Sequence, residues 1–230
     1  MRTLYLLLIL PFLTLSSAWA TPEIHIFMHA CTKGNWKQTL TEQLDRLQTS
    51  GLYEACDSIN LGVLGTKNVS SFTKKYPKIK ILFQDENMKL FERGTLLNMY
   101  HFCTKHPEAL ILYLHTKGVT KTKNQNVRHW RKYMEYFLID RWQDCVAAMT
   151  EQNYDICGVD WKIEPKPHYS GNFWWTTAKY LLTLPPYINQ DYYAPEMWIG
   201  QNEPNYRCFH HSGYDLYYTP YTEELYKICP

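Results

Sequence analysis

The feature that most constrains the fold is a regular alternation of short apolar runs and amphipathic segments in the first half of the chain. The apolar runs predict four strands, at 24–28, 58–64, 79–83 and 109–114. Segments with helical spacing lie between them, at 35–49, 70–75 and 90–103. A longer amphipathic stretch and a fifth strand follow, at 127–149 and 154–159. This alternation predicts an α/β fold with a mostly parallel sheet and helices on both faces.

The first 20 residues have the three-part layout of a secretory signal. Arg2 supplies the positive start, residues 4–15 are almost all apolar, and Ala18-Trp19-Ala20 is a small-x-small cleavage pattern. The apolar run is shorter than the ~20 residues that span a bilayer. We expect cleavage after Ala20, a single domain at residues 21–230, and a secreted, periplasmic or secretory-lumen location. An uncleaved anchor that keeps the protein close to a membrane is the alternative.

Charge and aromatic content narrow the class of ligand. A formal net charge of +2 gives no electrostatic basis for binding nucleic acid. The 19 Tyr and 8 Trp exceed what a core of this size needs, and such side chains often line clefts, where a flat apolar face can stack on a sugar ring. An aromatic-rich core is the alternative, and it accounts for most of these residues.

The seven cysteines include no C-x-x-C pair, which argues against a zinc or thioredoxin-like site. An exported chain can oxidise its thiols, but an odd number leaves at least one of them without a partner in the same chain. Cys208 and Cys229 flank a short tail, and we expect that a bridge could join them.

The sharpest motif is the run 113–118, YLHTKG, directly after the fourth strand. In open α/β sheets, ligands bind beyond the carboxyl ends of the strands, which is where His115, Thr116 and Lys117 would lie. Lys117 could neutralise a phosphate, and Gly118 permits a sharp turn. Four more cations follow Lys117 in the chain: Lys121, Lys123, Arg128 and Arg131. Together with Lys117 they could bind a diphosphate. A solvated basic loop is the alternative.

A second motif, HYSGNFWW at 168–175, combines polar groups with indole rings. Gly171 allows the backbone to approach a ligand, Ser170 and Asn172 offer hydrogen bonds, and Trp174 offers a stacking face. Sugar sites use this mixture. The alternative is a buried aromatic turn in which Asn172 caps a helix that runs to Leu182.

Two carboxylates complete the candidate site. Glu196, in YAPEMWIG at 193–200, follows a proline that favours a first helical turn, and it could act as a general base or serve only the helix terminus. Asp160 follows the fifth strand and could bind a divalent ion, a sugar hydroxyl or nothing.

Taken together, these motifs resemble a family of glycosyltransferase-like proteins. The resemblance rests on the order of LHTKG at 114–118, WR and MEYF at 130–137, GVDW at 158–161, SGNFWW at 170–175 and PEMWIG at 195–200. It covers residues 23–220, and a more distant similarity is to the rhamnan synthesis F family, with its His-Thr-Lys turn.

The resemblance implies a GT-A-like, nucleotide-diphospho-sugar transferase fold. Such enzymes usually carry an Asp-x-Asp metal motif after the fourth strand, where this chain has His115-Thr116-Lys117, and no Asp-x-Asp occurs in the sequence. We therefore expect either no divalent metal or one that is bound without this motif; some GT-A-like enzymes replace the ion by basic side chains, and Lys117 could do so here. Glu196 matches the acidic residue that serves as the base in inverting members.

The expected function is hexosyl or deoxyhexosyl transfer from a nucleotide-sugar to a glycan or lipid-linked acceptor. Lys117, helped by His115, would stabilise the leaving diphosphate, with Thr116, Gly118 and Asp160 at the donor. Nucleotide-sugars are scarce outside the bacterial cytoplasm, so export favours a eukaryotic lumen or action inside a host.

Two rival functions remain at this stage. A non-catalytic carbohydrate-binding protein would fit the export signal and the missing metal motif. A glycan hydrolase would need two opposed carboxylates, for which Glu196 and Asp160 are the candidates.

Overall fold

The computed structural model describes residues 22–227, and its core is one seven-stranded sheet. In chain order the strands of this sheet are β1 (Ile24–Cys31), β2 (Ser58–Leu64), β3 (Ile79–Asp85), β4 (Leu110–His115), β5 (Ile156–Gly158), β8 (Trp174–Thr177) and β9 (Tyr206–Cys208). Their spatial order is β3-β2-β1-β4-β8-β5-β9. A small two-stranded sheet pairs β6 (Trp161–Lys162) with β7 (His168–Tyr169).

The sheet is mostly parallel, as predicted. β3, β2, β1 and β4 run the same way, and β5 and β9 pair in parallel at the other edge. Only β8 is reversed, between β4 and β5. β1 and β4 are buried on both faces, which is why their sequences are apolar apart from His25 and His29 in β1 and His115 at the end of β4.

Helices cover both faces, and this confirms the predicted α/β class with a mostly parallel sheet. The helices that precede the fifth strand are α1 (Trp36–Thr49), α2 (Leu52–Ala55), α3 (Ser70–Lys75), α4 (Arg93–Cys103), α5 (Gln125–Glu135) and α6 (Trp142–Thr150). A π-helical turn at Tyr136–Asp140 joins α5 to α6. The helices α7 (Ala178–Leu181) and α8 (Ala194–Met197) follow β8. Short 3-10 turns lie at Met88–Leu90 and Glu223–Leu225.

Two apolar clusters fill the space on either side of the sheet. One joins the α1 leucines to the segment from α5 to α6, and the other joins α4, α7 and the loop around Trp198. Trp174 belongs to the second cluster and Trp175 to the first, because neighbouring side chains of a strand point to opposite faces. β8 therefore connects the two cores through the sheet.

The alternative interpretation of Asn172 as a helix cap is wrong. The residues after it form β8, and the next helix begins only at Ala178. Thr177 caps that helix, since its side-chain oxygen accepts a hydrogen bond from the Tyr180 amide at 3.2 Å.

Three expectations concern residues outside the described range. The secretory signal at residues 1–20, its cleavage after Ala20, and the bridge from Cys208 to Cys229 all involve residues before 22 or after 227. Between residues 22 and 227, none of the helices has the length and apolarity to cross a membrane.

Candidate active site at the carboxyl ends of the strands

A cavity of about 610 Å³ opens at the carboxyl ends of the parallel strands. β1 contributes Cys31, β2 contributes Leu64 and β4 contributes His115 to its wall. Parallel pairing brings these strand ends together, with His29 opposite His115 and Cys31 opposite Leu64. The cavity therefore lies where the strand-end rule places a ligand.

The turn after β4 is held rigidly against the end of β1. The Thr116 amide donates to the His29 carbonyl at 2.9 Å, and the Thr116 hydroxyl accepts from the Cys31 amide at 3.0 Å. Gly118 has φ +89°, and a Cβ there would lie 2.9 Å from Val127 Cγ1. These contacts fix the backbone on both sides of Lys117.

Lys117 presents its ammonium group to the cavity. Its Nζ lies 3.7 Å from the centroid of the Trp130 ring, within cation–π range. Among residues 22–227 the ammonium forms no hydrogen bond or ion pair, although Glu196 and Glu92 interact with it at longer range. Burial lowers the pKa of Lys117, and these two carboxylates oppose that shift. An incompletely solvated cation without a contacting anion is a site for an anionic ligand.

Two carboxylates share the cavity with Lys117. Glu196 Oε1 accepts a hydrogen bond from the Gly171 amide at 2.7 Å, while its other oxygen accepts none from the described residues. Glu92 lies at the start of α4, and burial raises its pKa, with Lys117 acting against the rise and Glu196 adding to it. The Glu196 carboxylate is therefore oriented through one oxygen and available through the other.

His115 lies between these groups as a neutral ring. Its Nε2 is 3.1 Å from the Gly171 carbonyl, and its Nδ1 is 3.8 Å from Glu92 Oε1. Burial, reinforced by the charge of Lys117, lowers the pKa of His115 well below its usual value. A neutral imidazole donates its Nε2 proton to the Gly171 carbonyl. A neutral His115 would assist Lys117 through its position and hydrogen bonding and not through a charge of its own.

Gly171 connects the two sides of the cavity through its backbone. Its amide orients Glu196 and its carbonyl orients His115. Its φ of +95° favours glycine, and a Cβ would lie 2.6 Å from Met134 Sδ and 2.9 Å from Trp130 Nε1. The position has no room for a side chain, so this connection depends on glycine.

The side-chain amide of Asn172 lies at the wall of the cavity. Its Oδ1 accepts a hydrogen bond from the Trp174 indole at 2.8 Å, which fixes the amide plane. Its Nδ2 donates to none of the described residues, and Asn172 lines the cavity. Trp174 is fully buried and supports Asn172 from below, so its ring is not a stacking face for a ligand.

A family model described as "Domain of unknown function (DUF8361)" matches residues 24–206, from the first residue of β1 to the first residue of β9. The chain belongs to the DUF8361 family. The match includes Lys117, Gly171, Asn172 and Glu196. No curated protein matches the sequence.

Solved structures that are similar to this DUF8361 chain are remote in sequence. Rv0371c from Mycobacterium tuberculosis H37Rv is 12% identical, with a TM-score of 0.45, over 83% of this chain and 89% of that one. HddC from Yersinia pseudotuberculosis is 13% identical, with a TM-score of 0.47, over 82% and 90%. S. aureus TarS 1–349 in complex with UDP is 11% identical, with a TM-score of 0.43, over 81% and 60%.

Three of the residues predicted for the DUF8361 site lie outside the cavity lining. Trp174 is in the core, as described above, and Ser170 donates its amide to the Asp160 carbonyl at 3.1 Å. Asp160 is buried, and its carboxylate accepts from the Ser212 amide at 2.6 Å and the Ser212 hydroxyl at 2.8 Å. These bonds anchor the segment after β9, so Asp160 is not the second carboxylate that a hydrolase would need beside Glu196.

The basic residues of the DUF8361 chain divide into two groups. Arg128 and Arg131 contact Glu42 at 2.9 and 2.5 Å, and Arg131 also contacts Glu135 at 3.3 Å, so two of the five predicted phosphate-binding cations are paired with carboxylates away from the cavity. Lys123 does not line the cavity, whereas Lys121 does. Lys33 also lines it, and neither Lys33 nor Lys121 forms an ion pair within residues 22–227.

Several cavity residues were missed by the sequence analysis. Lys33 could have been found, because it follows the end of β1 as Lys117 follows the end of β4. Tyr192 and Tyr193, which are 65% and 64% exposed, carried only the general aromatic signal. Glu92 could not have been found from the sequence, because it lies just before α4, after β3, and belongs to none of the motifs described above.

Within residues 22–227, the cavity lining holds no preformed cluster of three metal ligands. His29, Cys31, Glu92, His115 and Glu196 line it, but no three of them bring ligand atoms close enough for a common ion in the described part of the chain. The Lys117 ammonium also lies near both glutamates, where it would repel a cation. The residues after β4 thus supply fixed positive charge and no metal ligands.

Proposed function

We propose that this DUF8361 protein is a glycosyltransferase that moves a hexosyl or deoxyhexosyl group from a nucleotide-diphospho-sugar to a glycan or lipid-linked acceptor. One observation carries the proposal. The Lys117 ammonium forms no ion pair or hydrogen bond within residues 22–227, and it lines the same cavity as Glu196, whose carboxylate has one hydrogen-bonded oxygen and one free oxygen. A cation for the leaving group and a base for the acceptor are the two charges that sugar transfer needs.

Lys117 would hold the donor diphosphate. Its rigid backbone and the Trp130 face fix the ammonium before the ligand arrives, so little reorganisation accompanies binding. Lys33 and Lys121 would add positive charge to the wall of the same cavity. A diphosphate with two negative charges or more would thereby meet its counter-charge without a divalent ion.

The sugar would lie against the segment that contains Gly171 and Asn172. The free Asn172 amide protons suit a sugar hydroxyl, and Tyr192 and Tyr193 offer aromatic faces along the same cavity. Polar edges beside flat apolar faces are common in carbohydrate sites.

Glu196 would act as the general base. The acceptor hydroxyl oxygen would attack the anomeric carbon while its proton passes to the free Glu196 oxygen. The bond from the anomeric carbon to the phosphate oxygen would break, and its electron pair would leave with the diphosphate beside Lys117. A single displacement of this kind inverts the anomeric configuration.

The second candidate is a carbohydrate-binding protein without catalysis. The exposed Tyr192 and Tyr193 rings at the cavity favour it, since they could hold a glycan with no nucleotide present. Nucleoside diphosphate release in the presence of an acceptor supports the transferase; glycan binding that is indifferent to nucleotide supports the binder.

The deciding experiment is a thermal-shift screen of UDP-, GDP- and dTDP-linked sugars, with and without Mn²⁺. A ligand of the folded state raises the melting temperature, and we expect one donor to do so without metal. Lys117→Met should abolish that shift. Lys123→Met is the matched control, because it removes the same charge from an exposed lysine outside the cavity. A donor shift that survives in Lys117→Met, or no shift with any donor, would refute the proposal.

A further inference from the structure

A second cluster of polar side chains lies at the opposite end of β1 from the cavity. Glu23, His25 and His106 bring one ligand atom each to within 4.8 Å of one another, the only such trio of His, Cys, Asp or Glu in the described part of the chain. His25 Nε2 is 3.1 Å from Glu23 Oε1, and His106 Nδ1 is 3.0 Å from the same oxygen.

The buried member of the trio, His25, has a ring nitrogen whose polar contact within residues 22–227 is Glu23. His25 is 4% exposed, and its Nε2 faces Glu23 but forms no aligned hydrogen bond within residues 22–227. Its other nitrogen, Nδ1, is 2.8 Å from the Ser58 hydroxyl, which also accepts from Asn60 Nδ2 at 2.9 Å. Such a contact on one nitrogen orients the ring and leaves the second nitrogen for a metal.

The neighbouring aromatic ring fixes the second histidine. Phe102 stacks on His106 with ring centroids 4.0 Å apart and planes 4° apart, and it meets His25 edge-on at 4.6 Å. Both imidazoles are thus held with one ring nitrogen each toward Glu23, His25 through Nε2 and His106 through Nδ1, so an ion could replace these contacts without a large rearrangement.

We propose that Glu23, His25 and His106 form a zinc site. Zinc–ligand bonds of ~2.0–2.2 Å at tetrahedral angles place neighbouring ligand atoms roughly 3.3–3.5 Å apart. The Glu23 oxygen lies 3.1 and 3.0 Å from the two imidazole nitrogens, and all three ligand atoms lie within 4.8 Å of one another. Two imidazole nitrogens and one carboxylate are typical zinc ligands. The fourth position faces solvent, since the Glu23 and His106 side chains are 43% and 33% exposed, and water can fill it.

This site is separate from the proposed transferase cavity. Eight residues of strand at ~3.3 Å each place the two ends of β1 about 23 Å apart. The ion would join the residue before β1 to the loop between α4 and β4. Its role would be structural, and its presence does not depend on the transferase proposal.

The test uses tag-free protein stripped with a chelator, dialysed and then titrated with ZnSO₄. We expect one zinc per chain by elemental analysis and a rise in melting temperature of about 5 °C or more at a hundredfold excess over the dissociation constant. Co²⁺ in place of zinc should give the strong visible bands of a four-coordinate ion.

Two ligand variants and one control identify the residues. His106→Asn and Glu23→Gln, both on partly exposed side chains, should each weaken zinc binding at least ~10-fold and remove the visible cobalt bands. His101→Asn, at an exposed histidine of α4 outside the trio, should behave like wild type. The proposal is overturned if wild type keeps no zinc and gains no stability, or if both ligand variants bind the ion as wild type does.

Discussion

Replacing Gly171 by alanine should damage both the stability and the binding site of the protein. The backbone at this position has φ +95°, and the added Cβ would lie 2.6 Å from Met134 Sδ and 2.9 Å from Trp130 Nε1. Neither neighbour can move freely, because Met134 is fully buried and Trp130 packs against the core beneath Lys117.

The magnitude follows from two contributions. A left-handed backbone costs an alanine about 1–2 kcal/mol relative to glycine. Overpacking a close-packed site adds about 1–3 kcal/mol. The sum is about 2–5 kcal/mol of unfolding free energy, or about 4–20 °C in melting temperature for a chain of this length.

Urea unfolding monitored by tryptophan fluorescence measures the loss of stability, and Gly213→Ala provides the matched control. Gly213 also has a positive φ, +75°, but a Cβ there meets no atom within 4 Å. The control should therefore show only the backbone contribution. The difference between the two variants isolates the clash with Met134 and Trp130.

The same variant tests the link between backbone and site. A displaced Gly171 backbone would release both the Glu196 carboxylate and the His115 ring, so the donor-induced thermal shift should shrink in Gly171→Ala and persist in Gly213→Ala. The reasoning is refuted if Gly171→Ala is no less stable than Gly213→Ala.

Two more predictions concern single side chains. Glu196→Gln should lower turnover by about 10²–10⁴-fold while nucleotide-sugar binding persists. The glutamine side chain keeps an oxygen that accepts the hydrogen bond from the Gly171 backbone N–H, but it cannot take up a proton. Turnover at the wild-type rate would remove Glu196 from the mechanism. The second prediction concerns His29, whose pKa is lowered by burial from 6.5 to about 4. Between pH 6.5 and pH 4, His29 is therefore protonated in the unfolded chain but not in the folded one, so the free energy of unfolding falls as the pH drops. Urea titrations from pH 7 to pH 4 should show wild type losing roughly 3 kcal/mol more than His29→Gln, and parallel losses would contradict the assignment.

Of the strands of the first half, β1, β2 and β4 were predictable because they are buried on both faces, whereas β3 is largely exposed and was found from its short run of apolar residues. The predicted strand 58–64 and helix 70–75 agree with β2 and α3 to the residue, and β1 and β4 differ from prediction only at their ends. Among the elements that the sequence analysis missed, β8 matters most for the site. Its four residues, WWTT, are too short for a periodic signal, and both tryptophans are buried on opposite faces.

The missed strand also explains why the site could be only partly assembled from sequence. β8 starts beside the end of β4, with Trp174 opposite Tyr113, so the residues just before it, Gly171 and Asn172, arrive next to His115. A connection through the short β6–β7 hairpin reverses the strand, whereas a parallel strand would have needed a long crossover. The motif was visible in the sequence, but its position depended on that reversal.

The sequence by itself determined the α/β class, the parallel strands and the position of Lys117 at the end of one of them. Buried strands leave apolar runs that can be read directly from the sequence, and Lys117 follows such a run at its carboxyl end. Only the tertiary structure decided which charges meet. Arg128 and Arg131 turn toward Glu42, Asp160 toward Ser212, and Glu92 and Lys33 into the cavity. Charge pairing depends on distances between segments far apart in the chain, and those distances exist only once the two cores have packed against the sheet.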